Sequence, residues 1–232
     1  MTEVNYLESL NPRQYESVCS TEGPNLIIAG AGTGKTKVLT TRVAHIIDNN
    51  LAFPSQILCV TFTNKAAREM SERVQKLVSQ NMEKMPWMGT FHSIGAKIIR
   101  NHAEVIGLKQ SFTILDKDDQ LSLIKQIIKA ENLDQSQFSP KLIQSKIDHW
   151  KNKALNPNDV KSESLDNLVD EKSLSIYKIY QARLFEINCL DFGDLLLQCI
   201  NLFKVPDIHK RYSKNFKYIH VDAVSYTQLR AH

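Results

Sequence analysis

The sequence predicts an α/β fold in which a parallel sheet carries an inserted, all-helical subdomain. Three observations predict it: short apolar runs alternate with helical patterns as far as residue 107, helical patterns alone follow, and an apolar run returns at Tyr218. Alternating strands and helices are typical of βαβ units, whose strands are parallel. We therefore expect a first sheet part at 1–107, a helical insertion at 108–190 and a return to the sheet at 191–222.

Four apolar runs are predicted to be the strands of this sheet. A continuous apolar run of a few residues, without the alternation of a half-exposed strand, indicates a strand that is buried on both faces. The runs are Leu26–Ala29, Ile57–Thr61, Trp87–Thr90 and Tyr218–Asp222. In an open α/β sheet, ligands gather beyond the carboxyl ends of such strands.

A helix is predicted after each of the first three strands. Apolar residues recur at helical spacing over Val38–Ile47, after a glycine-rich turn, and again over Ile94–Ile99. Asn64 is predicted to cap a third helix, whose apolar face includes Met70 and Val74. These helices complete the βαβ pattern of the first part.

The insertion and the return to the sheet contain helix signals only. Asp116, Ser139 and Asp191 each precede an apolar helical pattern and are predicted N-caps. Pro140 follows Ser139 at the first helical position, where proline is favourable. A further helical stripe runs from Leu174 to Leu184.

The composition is that of an ordinary globular protein with a hydrophobic core. The 232 residues are 42% hydrophobic, and the formal net charge of +4 permits a nucleic-acid partner without arguing for one. The four cysteines lack zinc-type or redox-type spacing, so we expect small buried hydrophobes in a reducing compartment. No signal peptide or membrane-spanning run is visible, which predicts a cytoplasmic protein without a membrane partner.

A phosphate-binding loop is predicted between the first strand and the first long helix. The segment AGAGTGKT has alanine where the strict P-loop pattern has its first glycine. A chance glycine-rich turn is disfavoured because strand, loop and helix follow in order. Lys35 is expected to reach the β- and γ-phosphates, and Thr36 to coordinate Mg²⁺. The predicted phosphate-site residues are Ala29, Gly30, Ala31, Gly32, Thr33, Gly34, Lys35 and Thr36.

The segments around this loop resemble the UvrD/Rep/PcrA family of superfamily 1 DNA helicases. LNPRQYESV at 10–18 and LIIAGAGTGKT at 26–36 are similar to the opening of these enzymes. The resemblance implies a RecA-like domain with ATP and Mg²⁺ as cofactors. It also implies that Gln14 recognises adenine, whose N7 accepts and whose 6-amino group donates a hydrogen bond. Lys37 takes the place of an arginine near the base in many relatives, although a lysine cannot stack or fork as arginine does.

Two further segments resemble the family's motifs Ia and Ib. TFTNKAAREM at 61–70 and GTFHS at 89–93 each follow a predicted strand. The resemblance implies that both face single-stranded DNA and that Phe62 is a platform on which a base stacks. An isolated phenylalanine beside a strand would otherwise be core, and His92 is as readily a structural histidine as a DNA contact. The DNA contacts implied are Thr61, Phe62, Thr63, Asn64, Thr90, Phe91 and His92.

The resemblance is predicted to end at the last strand. FKYIHVD at 216–222 is similar to the family's Walker B strand, which implies that Asp222 lies beside Mg²⁺ and acts in catalysis with Lys35 and Thr36. The family continues with glutamate, tyrosine, glutamine and aspartate. Residues 223–232 instead read AVSYTQLRAH and contain no carboxylate. The glutamate that this segment lacks orients and deprotonates the attacking water in the family.

A neighbouring segment, LDFGDL at 190–195, resembles the family's LDFDDL, from which Gly193 departs. We interpret this segment as a capped helix that returns the chain to the sheet.

The resemblance implies the first part, domains 1A and 1B, of an ATP-dependent 3′–5′ DNA helicase of repair or replication. Its DNA partners are single strands and single-strand/duplex junctions. The remaining helicase domains, with their arginine fingers, are absent, so the chain is expected to be nearly inert alone. The alternative is an ATP- and DNA-binding module that does not hydrolyse ATP, with residues 223–232 either a real divergence or, as we favour, a foreign tail. A kinase-like P-loop enzyme leaves the segments at 61–70 and 89–93 unexplained.

Overall fold

The computed structural model describes residues 6–30, 32–78, 85–161 and 168–222. Ala31 and the tail 223–232, on which predictions were made, lie outside the described residues. Contacts between Cα atoms divide the chain into two compact units. Unit 1 comprises the described residues within Met1–Ile94 and Lys210–His232, and unit 2 those within Gly95–His209.

The helices and strands follow one another along the chain in this order: α1 (Pro12–Cys19), α2 (Lys35–Asp48), β1 (Ile57–Thr61), α3 (Asn64–Leu77), β2 (Met88–Thr90), α4 (Phe91–Asn101), β3 (Thr113–Leu115), α5 (Lys117–Ala130), α6 (Pro140–Asn152), α7 (Leu168–Glu186), β4 (Cys189–Asp191), α8 (Phe192–Phe203), α9 (Pro206–Asn215) and β5 (Tyr218–Val221). Short 3₁₀ helices lie at Pro54–Gln56 and Ala103–Ile106. The unit boundaries fall within α4 and α9.

Unit 1 is built on a parallel sheet with the strand order β2-β1-β5. Thr61 of β1 pairs with Thr90 of β2, and Val60 of β1 pairs with Val221 of β5. Because the strands are parallel and in this register, their carboxyl ends meet at one edge of the sheet. The predicted α/β fold with a parallel sheet is confirmed, as are three of its four strands.

The fourth predicted strand is wrong in this structure. Residues Leu26–Ala29 have no strand structure, and Leu26 and Ile28 are 86% and 88% exposed. A cavity separates this segment from β5, since residues of both line it. A strand is buried on both faces only where it belongs to a sheet whose two faces are covered by helices, and among the described residues no strand pairs with Leu26–Ala29. The apolar run shows only that these residues are hydrophobic. Whether they are buried depends on the helices and strands around them, which the run does not specify.

The core of unit 1 lies between the sheet and helices α2 and α3. Its members are apolar side chains of the two helices, of β1 and of the segments that follow the helices, namely Val43, Ala44, Ile46, Ala52, Ile57, Cys59, Met70, Val74, Val78 and Met85. Helix α3 starts one residue away from its predicted cap. The hydroxyl of Thr63 accepts a hydrogen bond from the Ala66 N–H at 3.1 Å, so Thr63 is the N-cap and Asn64 is the first helical residue.

Unit 2 is mainly helical, with a core formed largely by α5, α6 and α7. Trp150 of α6 stacks on Tyr177 of α7 at a centroid distance of 5.8 Å. The insertion is not entirely helical, however. Strands β3 and β4 form a short parallel pair in which Ile114 lies opposite Leu190. Both strands are short and lead directly to the predicted helix caps Asp116 and Asp191, so the sequence analysis did not separate them from the helical patterns.

Two of the three predicted caps in this part of the chain make their expected hydrogen bonds. Asp116 accepts from the Asp118 and Asp119 N–H groups. Asp191 forms a capping box with Asp194, as the interpretation of LDFGDL as a capped helix requires. Ser139 precedes Pro140 as predicted, but its side chain makes no capping bond.

The reactivity of two buried thiols tests how tightly each unit is packed. Burial raises the pKa of Cys59 in unit 1 and of Cys199 in unit 2, each from 9.0 to about 12. The folded state therefore holds each thiol proton more tightly than the unfolded state does. This difference adds to the free energy of unfolding in full below about pH 9, and the added stability is lost as the pH rises through about 12. We expect iodoacetamide at pH 8 to leave both thiols unmodified until urea unfolds their unit, as measured by peptide mass spectrometry. Rapid modification of either thiol without denaturant would contradict the packing described here.

Candidate nucleotide and DNA site

The glycine-rich loop has a conformation that depends on its glycines. Gly32 and Gly34 have φ values of 75° and 93°, in the left-handed region that side chains with a Cβ rarely adopt. Between them Thr33 is tied to Gly30, whose carbonyl accepts from the Thr33 hydroxyl at 2.8 Å. Gly34 is also the N-cap residue of α2, and no side chain caps that helix end. The N–H groups and the positive dipole end of α2 are therefore directed at the loop.

Lys35 folds back over this loop. Its ammonium group donates to the carbonyl of Ala29 at 2.9 Å and to that of Gly30 at 3.3 Å. An ammonium has three donors and no acceptor, so it can exchange these carbonyls for phosphate oxygens. The side chain is thus held within the loop, where an anion bound by the loop would meet a positive charge.

A cavity of about 790 Å³ brings Lys35 and Asp222 together. Burial raises the pKa of Asp222, and the positive charge of Lys35 opposes that rise. His220 lines the same cavity. Burial lowers the pKa of His220 to about 4, with the charge of Arg42 acting in the same direction, so the imidazole is neutral at physiological pH.

The residues present fit a magnesium ion that arrives with a nucleotide. Asp222 offers carboxylate oxygens, and the half-buried Thr36 offers a hydroxyl oxygen. These are hard oxygen ligands, and Mg²⁺ in nucleotide sites takes its other ligands from water and phosphate. The described residues contain no group of three or more acidic, histidine or cysteine side chains that would bind a metal without phosphate. A divalent cation would also offset the burial that disfavours the charged form of Asp222.

Gln14 lies beside the loop but does not line the cavity that contains Asp222. It lines a second cavity of about 500 Å³ together with Gly30, Thr33 and Lys35. Its amide nitrogen donates to the Thr33 carbonyl at 3.2 Å, which joins α1 to the loop. The Lys37 ammonium donates to the Ser9 carbonyl at 2.5 Å, and its place near the base stays a prediction.

The second group of predicted residues lies at the carboxyl ends of β1 and β2. Phe62 follows β1 and is 57% exposed, so it is not core. Its ring meets that of Phe91, which follows β2, edge to face at a centroid distance of 5.3 Å. Asp222 follows β5 at the same edge of the sheet. The aromatic pair and the carboxylate of the loop cavity therefore share one edge.

Other predicted DNA contacts differ in their exposure. Thr61 and Thr90 are only 4% and 7% exposed, and Thr90 is bonded to Ser93 through both its N–H and its hydroxyl. Thr63 and Asn64 are exposed at the start of α3. His92 is half-buried, and burial lowers its pKa. The threonines at the strand ends thus have a clear structural role in addition to any contact with DNA.

Three residues of this site were not identified from the sequence. Asn11 caps α1 and holds Gln14 in place, and its spacing from Gln14 is that of a capping box, a signal that the sequence did contain. Arg42 of α2 is buried and donates to the carbonyls of Ser17 and Thr21. His220 is buried beside the cavity. Neither Arg42 nor His220 has a sequence signal of its own.

Comparison with known proteins shows the family to which the chain belongs. Residues 10–227 match the UvrD/REP helicase N-terminal domain, a match that extends beyond Asp222. The chain is similar to the ATP-dependent DNA helicase PcrA of Staphylococcus aureus strain Mu50, with 46% identity over 217 residues. That alignment covers 93% of this chain and 30% of the relative.

Two further relatives give the same picture. The ATP-dependent DNA helicase PcrA of Leuconostoc citreum is 44% identical over 92% of this chain and 28% of its own length. The protein of the same name from Staphylococcus epidermidis is 44% identical over 93% of this chain and 30% of its own length. The chain thus spans about 30% of the length of these relatives. With most of its length matched by the family and its glycine-rich loop folded as described, the chain belongs to the UvrD/REP helicase N-terminal domain family.

Proposed function

We propose that this chain is the ATP- and single-stranded-DNA-binding N-terminal part of an ATP-dependent 3′–5′ DNA helicase of repair or replication. The observation that carries the proposal is the shared sheet edge, where Asp222 and the Phe62–Phe91 pair follow the carboxyl ends of neighbouring strands. Binding of nucleotide and of DNA at one edge is what a motor needs if the two are to be coupled. In this assignment 1–107 and 191–222 belong to domain 1A, 108–190 to domain 1B, and the parent protein works in the cytoplasm.

ATP binding is supported by the loop and its surroundings. The N-terminus of α2 and the Lys35 ammonium supply positive charge for the phosphates, while Thr36 and Asp222 supply oxygen ligands for Mg²⁺. Bound Mg²⁺ would neutralise charge on the phosphates. Gln14, half-buried beside the loop, is the base-recognising residue of this proposal. Lys37 keeps its contact with Ser9 and stays close to the nucleotide only as a neighbouring positive charge.

DNA binding is supported by the exposed aromatic pair and the polar start of α3. A base stacks on an exposed ring regardless of its identity, which suits a motor that moves along any sequence. The N-terminus of α3, with Thr63 and Asn64 exposed beside it, can receive a phosphate. Single strands and single-strand/duplex junctions are the DNA partners of this proposal.

The chain alone is proposed to bind ATP without turning it over. Residues 223–232 contain no carboxylate to activate water, and phosphoryl transfer in related motors gains roughly 10³–10⁵ in rate from an arginine supplied by another domain. The 232-residue chain should therefore show no DNA-stimulated ATPase activity, whereas a version in which the family's sequence and C-terminal domains replace residues 223–232 should show it. Turnover by the 232-residue chain that Lys35→Ala abolishes would refute the proposed inactivity.

Replacing Phe62 with alanine tests the DNA site. Because stacking on an aromatic ring contributes roughly 1–3 kcal/mol per base, Phe62→Ala should weaken binding of single-stranded DNA by about 5- to 150-fold. The measurement is fluorescence anisotropy of a labelled oligothymidylate at low salt. Phe53→Ala is the matched control, since Phe53 is 73% exposed but precedes β1 at the opposite end from Phe62. Equal losses from both substitutions, or none from Phe62→Ala, would count against this DNA site.

A further inference from the structure

The amide of Gln14 is held at both of its ends. Its carbonyl oxygen accepts from the Asn11 backbone N–H at 3.1 Å, and its nitrogen donates to the Thr33 carbonyl at 3.2 Å. Asn11 in turn accepts the Gln14 backbone N–H on its side-chain oxygen at 2.9 Å, which completes a capping box at the start of α1. Both the side chain and the backbone of Gln14 are therefore tied to Asn11.

These contacts fix which way the amide faces. Rotating the amide by half a turn would place its nitrogen against the Asn11 N–H and its oxygen against the Thr33 carbonyl, so both hydrogen bonds would be lost. A primary amide has two donor hydrogens and an oxygen with two lone pairs. One hydrogen and one lone pair thus remain for a ligand, in a fixed order. Gln14 and Asn11 both line the cavity that also contains Thr33 and Lys35.

A fixed order of donor and acceptor distinguishes the purine bases. Adenine presents an acceptor at N7 and a donor at its 6-amino group, which a correctly oriented amide satisfies with two hydrogen bonds. Guanine presents acceptors at both N7 and O6. The same amide therefore gains one hydrogen bond and places its own oxygen opposite O6, where two acceptors repel each other. A freely rotating amide would discriminate less, because either orientation could be selected by the base.

We propose that Asn11 is the positioning residue that sets the preference of this site for adenine over guanine, by holding the Gln14 amide in one orientation. The inference rests on the proposed function, since it requires a nucleotide at the loop. Asn11 itself is exposed and need not touch the base. Its effect passes through Gln14, so its loss should change the selectivity between bases more than the affinity for the phosphates.

The experiment measures the ratio of the dissociation constants for GTP and ATP by displacement of a fluorescent ATP analogue from the 232-residue chain. The unsubstituted chain should prefer ATP by about tenfold or more, as expected where a polar group reads the ligand. Asn11→Pro removes the backbone N–H that donates to the Gln14 amide oxygen, at a φ of −74° that proline adopts, and should lower the ratio roughly fivefold. Asn11→Asp retains the acceptor and should keep the ratio. Gln14→Ala should bring it close to one.

A matched control separates positioning from general loss of stability. Asp116→Ala removes the N-cap of α5, a comparable capping loss in the other unit, and should leave the ratio unchanged. A ratio that stays constant in Asn11→Pro, or equal binding of ATP and GTP by the unsubstituted chain, would overturn the role of Asn11 while leaving phosphate binding intact. Absence of binding of either nucleotide by the unsubstituted chain would overturn the proposed function and this inference together.

Discussion

Replacing Lys151 with methionine should lower the free energy of unfolding of unit 2 by about 3–5 kcal/mol, the usual cost of removing one partner from a buried ion pair. The Lys151 side chain is fully buried, and its ammonium lies 2.7 Å from Asp191 and 2.8 Å from Asp194. Tyr180 also donates to Asp191, and Gln181 to Asp194. Without the lysine, two buried carboxylates would face each other with no cation between them.

The loss should depend on pH in a defined direction. Burial raises the pKa of Asp194, and the charge of Lys151 opposes this rise. Removal of Lys151 therefore raises that pKa further, so the folded state takes up a proton that the unfolded state releases. A raised carboxyl pKa favours folding at low pH. The destabilisation by Lys151→Met should accordingly be smaller at pH 5 than at pH 8.

The two tryptophans make the measurement specific to one unit. Trp87 lies in unit 1 and Trp150 in unit 2, so a chain carrying Trp87→Phe reports unfolding of unit 2 through Trp150 fluorescence in urea. Lys153→Met, at an exposed lysine two positions further along, is the matched control and should stay within about 0.5 kcal/mol. Adding Asp191→Asn and Asp194→Asn to Lys151→Met should restore part of the stability. If Lys151→Met and Lys153→Met cost the same, the buried network is not important for stability.

Replacing Lys35 with alanine should weaken binding of Mg-ATP by about 10- to 150-fold. A hydrogen bond to a charged group contributes roughly 1.5–3 kcal/mol, and each 1.4 kcal/mol corresponds to a tenfold change in affinity. The fold itself should change little, because Lys35 is only half-buried and one of the two loop carbonyls it donates to, that of Gly30, also accepts from the Thr33 hydroxyl. Isothermal titration calorimetry gives the affinity, and the rise of Tm with nucleotide gives an independent value.

Lys76→Ala provides the control for charge. Lys76 is an exposed lysine in the last turn of α3, in the same unit as the loop, and its removal changes the net charge equally. Its effect on nucleotide affinity should be less than about twofold, because exposed charges are screened by salt. Comparable losses of affinity from Lys35→Ala and Lys76→Ala would show that the loop does not bind the phosphates through Lys35.

Much of the local structure was predictable because its signals are local. The bounds of β1 and the caps at Asp116 and Asp191 follow from runs and capping residues a few positions long. The family membership also follows from contiguous motifs, the glycine-rich loop and the segments at 61–70 and 89–93. Each of these features is formed by residues that are close together in the chain, so the sequence alone is enough to recognise it.

The arrangement of the site was only partly predictable. The sequence analysis identified Gln14, Lys35 and Phe62 as candidates, but neither the Phe62–Phe91 contact nor the bond from Gln14 to Thr33 can be read from spacing. These contacts arise where separate elements meet across the sheet edge or across the loop. The bond from Lys37 to the Ser9 carbonyl is likewise not readable from spacing, and a role of Lys37 beside the base stays a prediction.

From the sequence alone came the α/β class, the glycine-rich loop, the motifs at 61–70 and 89–93 and the family, because each is encoded in a short stretch with its own pattern. Three features required the folded chain: Leu26 and Ile28 are exposed, Lys151 is enclosed by two carboxylates, and the buried His220 lines one cavity with Lys35 and Asp222. Burial and pairing depend on residues far away in the chain. A short sequence pattern gives no information on where such distant partners lie.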